Sequence, residues 1–117
     1  MTTNTMSSEQ WITVCNESDL TADTGLCALH EGEQVAIFKP ALADELFALS
    51  NFDPFGKANV MSRGIIGSIG DAIVVASPLY KQHFNLKTGE CLEDDSASLK
   101  TYEIRVDAGQ VQLKSNT

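Results

Sequence analysis

The sequence predicts an all-β domain of sandwich or barrel type, and three observations carry the prediction. Apolar and β-branched residues gather in eight or nine short runs, tight Gly-containing turns separate the runs, and no amphipathic stretch reaches the ~10–12 residues a helix needs. Such a pattern belongs to small antiparallel sheets packed on one another.

The first run is WITVC at 11–15, where Trp11, Thr13 and Cys15 alternate with Ile12 and Val14. NESDLTADTG at 16–25 has turn chemistry with room for one helical turn. LCAL at 26–29 and QVAIFK at 34–39 flank HEGE and read as a hairpin with Gly32 at its tip. After Pro40 the segment ALADE turns the chain into LFALS at 46–50. Residues 51–72 hold four Gly and one Pro and read mostly as loop, with a helical turn around Asn59–Arg63. AIVVAS at 72–77 has the continuous β-branched character of a strand covered on both faces. HFNL at 83–86 and ECLE at 90–93 read as a hairpin around Lys87-Thr88-Gly89. TYEIRV at 101–106 and QVQLK at 110–114 form a last hairpin across Asp107-Ala108-Gly109. The expected organisation is a flexible tail over 1–8 and one domain over 9–115, without internal repeats.

At 117 residues, with 43% hydrophobic and 21% charged residues, the composition is that of a globular domain. A chain of this size buries roughly 60–70% of the surface its unfolded form exposes, enough to fold without metals or disulfides. Sixteen Asp and Glu against eight Lys and Arg give a formal charge of −8, so the chain lacks the basic patch that nucleic acid demands. An acidic surface of this kind steers docking onto a positive partner or, more simply, confers solubility. No positively charged leader and no run of ~18 apolar residues is present, so neither export nor a membrane span is expected. Cys15, Cys27 and Cys91 are odd in number and far apart, which fits buried, inert thiols in a reducing cytoplasm.

Two segments carry a resemblance. ALSNFDPFGKANVMSRG at 48–64 and VASPLYKQHFNLKTGEC at 75–91 are similar to the two loops of Rieske-type [2Fe–2S] domains. In those domains two Cys hold one iron and two His hold the other. The likeness runs from about Trp11 to Leu113 and implies a Rieske-like (ISP-type) fold of stacked small antiparallel sheets. Matched to the family's pattern, Asp53 and Ser77 stand at the Cys positions, and Phe55 and Tyr80 at the His positions. Pro54 and Pro78 are retained.

All four ligands are thus replaced, and Phe55 has no donor atom at all. The resemblance implies no [2Fe–2S] cluster on this chain, because Ser, Tyr and Asp oxygens are poor substitutes for thiolate and imidazole. It implies instead that Phe55 and Tyr80 pack across the space a cluster would take. Asp53 is then tolerable if exposed, paired or capping backbone N–H groups. After Tyr80 the chain reads Lys81-Gln82-His83, where Rieske domains have Gly-Trp and a basic residue.

NFDPF, VMSRG and ASPLYKQHFNLKTGEC together resemble a ligand-less branch of the family, the small subunits of cytoplasmic NAD(P)H-dependent assimilatory nitrite reductases. That resemblance implies a large-subunit partner carrying FAD, an Fe–S centre and sirohaem, which reduces nitrite to ammonium. It also implies a small subunit that binds and supports this partner without catalytic, cofactor or metal residues of its own. Phe52, Phe55, Leu79 and Tyr80 are the expected contact residues. The rival readings are a Rieske ferredoxin with atypical ligation and a stand-alone binding module.

Other candidate sites are weaker. His30 beside a turn and His83 on a hairpin strand read as surface or edge histidines. Ser77 lacks the G-x-S-x-G elbow of a nucleophile, and GIIGSIGD at 64–71 lacks the spacing of a phosphate cradle and reads as turn. Glu90, Glu93, Asp94 and Asp95 read as a solvated acidic loop rather than a cation site.

Overall fold

The structure, a computed structural model, describes residues 10–115; the tail expected over 1–8 lies outside the described residues. It is all-β, with strands β1 (Trp11–Asn16), β2 (Leu26–His30), β3 (Glu33–Phe38), β4 (Phe47–Ser50), β5 (Phe52–Asp53) and β6 (Ala58–Asn59) in the first half. The second half holds β7 (Ile65–Ile69), β8 (Ala72–Ala76), β9 (His83–Asn85), β10 (Thr101–Tyr102), β11 (Ile104–Asp107) and β12 (Gln110–Lys114). They form four antiparallel sheets, ordered β1-β12-β11, β10-β4-β3-β2, β5-β6 and β7-β8-β9.

Period-two patterning on β3 explains the layering. Val35, Ala36, Ile37 and Phe38 are all fully buried. Val35 and Ile37 join Ala48, Val111 and Leu113 in one core beneath the β1-β12-β11 sheet. Ala36 and Phe38 point the other way, into a second core with Leu49, Met61, Val75 and Phe84. The β3 sheet is therefore a middle layer with apolar contacts on both faces. Its hairpin tip, Glu31-Gly32, and the Ala108-Gly109 tip of the last hairpin both have two consecutive positive φ angles, the turn that suits strand twist.

Three sequence expectations are corrected. The segment 51–72 is not mostly loop: it contains β5, β6 and β7, and Ile65–Ile69 pairs residue for residue with Ala72–Ala76. The glycine-rich stretch at 64–71 is thus largely strand, with Ile66 against the second core and Ile65 and Ile69 exposed. ECLE at 90–93 forms no strand, only isolated bridges through Cys91 and Glu90. TYEIRV divides between two sheets, β10 pairing with β4 and β11 with β12.

Candidate functional site

The two loops that carry the family resemblance occupy the ends of β5-β6 and β8-β9, and their backbones repeat one another. In the first, the Lys57 N–H donates to the Asp53 carbonyl at 2.8 Å, and the Phe55 N–H to Asp53 Oδ1 at 2.8 Å. In the second, the Lys81 N–H donates to the Ser77 carbonyl at 3.0 Å, and the Leu79 N–H to Ser77 Oγ at 3.2 Å. Lys57 and Lys81 close the turns with φ of 57° and 64°. Each loop is an Asx- or Ser-type turn, with a following proline unable to donate and a lysine in the left-handed region. DPFGK and SPLYK are one five-residue motif used twice.

The first residues of the two motifs meet. Ser77 Oγ donates a short hydrogen bond to Asp53 Oδ2, and both residues are buried, at 0% and 1% exposure. Asp53 is therefore paired and capping, one of the arrangements under which its burial is tolerable. Leu79 lies over Gly56, where a Cβ would come within 2.3 Å of Leu79 Cδ1. The base of the first loop is tied down by buried Asn51, whose Oδ1 accepts the Ser62 N–H at 2.6 Å and whose Nδ2 donates to Gln34 at 3.1 Å.

The aromatic residues diverge. Phe55 is half-buried, its ring 6.2 Å from that of Phe84 on the second core, so it faces inward. Tyr80 does not pack across the loops as expected: it is 64% exposed. The reason is positional, since the repeated motif matches Phe55 with Leu79 and Tyr80 with Gly56, beyond the turn's enclosed side. Phe52 and Leu79 are also exposed, at 41% and 46%. Of the four expected contact residues, three face solvent.

This donor set does not fit a [2Fe–2S] cluster. The oxygens of Asp53 and Ser77 are engaged with each other and with loop N–H groups, Phe55 offers no donor, and Tyr80 points outward. No group of three or more His, Cys, Asp and Glu among the described residues is arranged to hold a metal ion.

The remaining candidates separate. His30 is not a surface residue but 1% exposed, with Nε2 3.2 Å from the Lys114 carbonyl and its ring edge-on to Tyr102. It sits at the end of β2, where β12 covers it. His83 is an edge residue paired through Nδ1 with Glu93 at 2.6 Å. The His83 backbone N–H, with its side chain adding to the effect, holds the Glu93 carboxyl below its ordinary value. In the acidic loop, Asp94 caps the Ser96 N–H and hydroxyl, which lowers its pKa. An open groove of about 900 Å³ lies elsewhere, lined by Trp11, Lys39, Lys87, Tyr102 and Arg105 among others, and no residue of DPFGK or SPLYK lines it.

Sequence reasoning missed two features of this site. One is the Asp53–Ser77 pair, which joins residues 24 positions apart. The other is the equivalence of Lys57 and Lys81, which aligning DPFGK with SPLYK would have disclosed.

The family of Rieske-like [2Fe–2S] domains matches residues 10–114. The chain is 50% identical over 105 residues to the nitrite reductase (NADH) small subunit of Salmonella typhimurium, covering 90% of this chain and 97% of that one. The solution structure of the Escherichia coli protein NirD superposes with a TM-score of 0.84 at 48% identity, covering 93% of this chain and 99% of that one. The nitrite reductase [NAD(P)H] large subunit of Klebsiella oxytoca matches at 32% identity over 104 residues, which are 89% of this chain and 11% of that protein.

Proposed function

The chain belongs to the family of Rieske-like [2Fe–2S] domains, and we propose that it serves as the small, non-catalytic subunit of a cytoplasmic NADH-dependent nitrite reductase. The observation that carries this reading is half identity along nearly the whole chain to a protein of that name. The Klebsiella large subunit supports the partnership, because it bears a copy of this domain within its own polypeptide. Covalent attachment replaces what a separate subunit achieves by binding, and holds the domain at high effective concentration beside the catalytic body.

The contribution of this chain is structural. The Asp53–Ser77 bond joins the two loops across the place where a cluster would sit, so their tips keep a fixed spacing without metal. The cluster is absent in this reading, and flavin, iron–sulfur and sirohaem chemistry belong to the large subunit. Phe52, Leu79 and Tyr80 form the apolar centre of the contact. The physiological role is nitrite reduction to ammonium in nitrate assimilation.

Reconstitution tests the proposal. Nitrite-dependent NADH oxidation by the purified large subunit is expected to rise on adding this chain and to saturate at a fixed stoichiometry. A Phe52→Ala, Tyr80→Ala variant should require a higher concentration to reach the same plateau. A large subunit whose activity and sedimentation are indifferent to the chain would overturn the reading.

A further inference from the structure

The net charge of −8 conceals a division. From β4 to β9, residues 47–85, the chain holds three of its eight Lys and Arg but only two of its sixteen Asp and Glu. Those two acids do not offset the loop tips: Asp53 is buried against Ser77, and Asp71 lies at the far end of the β7-β8 hairpin. On neighbouring elements, Glu93 is held by His83, and Glu33, which shares a shallow cleft with Phe52 and Asn59, is paired with Lys100. The loop end is therefore positive on a body that is strongly negative.

The cations at this end are also uncommitted. Lys100 and Lys114 are ion-paired with Glu33 and Glu103, and Arg105 stacks over Trp11. Lys57, Arg63 and Lys81 are exposed and enter no ion pair among the described residues. Lys57 and Lys81 stand at equivalent positions of the repeated motif, Lys81 following the exposed Leu79 and Tyr80 in sequence. Their φ angles of 57° and 64° are ones that glycine adopts at lower cost, so lysine is present there against backbone preference.

We propose that this end is a positive docking face whose occupant is an acidic-rimmed apolar depression on the nitrite reductase large subunit, with Lys57 and Lys81 setting the register. The inference rests on the small-subunit reading above and adds the sign and geometry of the contact. Charge complementarity selects the occupant and its orientation together. An acidic partner attracts the loop end and repels the body, so the chain arrives tip first. The acidic surface that the composition suggests as a steering face is then the side that stays outward.

Binding of the wild-type chain to purified large subunit, measured by calorimetry across a salt series, is the first arm. No binding at any salt concentration sinks the small-subunit reading and this inference with it. Given binding, Lys57→Glu, Lys81→Glu is expected to weaken affinity at low salt by about tenfold or more and to flatten its salt dependence. Lys87→Glu, a single charge reversal outside the DPFGK and SPLYK motifs, should stay within about twofold. A Lys57→Gly, Lys81→Gly variant removes charge while relieving the turns, and is expected to melt no lower than wild type yet bind more weakly. Unchanged affinity in both double variants, or an equal loss in Lys87→Glu, overturns the proposal. So does head-to-tail self-association of the chain alone that the lysine changes abolish while leaving large-subunit affinity intact, since the occupant is then a second copy.

Discussion

Ser77→Ala removes one hydroxyl and two hydrogen bonds, the one donated to Asp53 Oδ2 and the one accepted from the Leu79 N–H. The first loss dominates, because Asp53 is fully buried and its Oδ2 is left without the hydroxyl; an orphaned buried oxygen costs about 1–3 kcal/mol. Leu79 is 46% exposed, so its amide can turn to water and adds only about 0.5 kcal/mol. The sum is about 1.5–3.5 kcal/mol, and at about 4 °C per kcal/mol for a domain of this size the Tm falls by roughly 6–14 °C. Urea denaturation should show a lower midpoint with an unchanged slope. Hydrogen exchange should quicken together at Phe55, Lys57, Leu79 and Lys81, whose amides all close on the pair. In a double-mutant cycle, Asp53→Ala with Ser77→Ala should cost less than the two singles summed. A Ser77→Ala protein within about 0.5 kcal/mol of wild type would refute the claim that this pair holds the loops.

Five further substitutions check other parts of the account. Gly89→Ala places a Cβ 2.0 Å from the Leu99 carbonyl at φ +81°, and should cost about 3 kcal/mol or more by chemical denaturation. Gly109→Ala, at φ +79° with open space around it, should cost only about 1–2 kcal/mol. Glu93→Gln should flatten the pH dependence of stability: the Glu93 carboxyl is lowered from 4.5 by the His83 N–H, so its contribution is present above that value and disappears as pH falls through the lower folded one. Melting curves of wild type and Glu93→Gln should differ at neutral pH and converge in acid. Lys57→Gly and Lys81→Gly should each stabilise the isolated chain by about 1 kcal/mol in the same assay, since the turns need left-handed backbone.

What could be read from the sequence divides along physical lines. Hairpins closed by Glu31-Gly32 and Ala108-Gly109 were legible because their turn residues stand between clearly alternating strands. Strand β7 was hidden because Gly64, Gly67 and Gly70 read as breakers, although Gly67 lies inside the ladder opposite Val74. The isolation of ECLE and the division of TYEIRV depend on which distant strand each finds, something no local pattern records. The four loop positions Asp53, Phe55, Ser77 and Tyr80 could be located through the resemblance, and Asp53 and Ser77 do face one another. The outward turn of Tyr80 and the burial of His30 follow from tertiary placement, which residue type alone does not fix.

The central claim is that the loops hold their shape through Asp53 and Ser77 and carry no redox centre. Iron and acid-labile sulfide, measured on protein purified anaerobically under iron-replete expression, test it most directly. The account predicts a colourless, fully folded chain with neither element in stoichiometric amount. Two irons and two sulfides per chain, with visible charge-transfer absorption lost on Ser77→Ala, would contradict it.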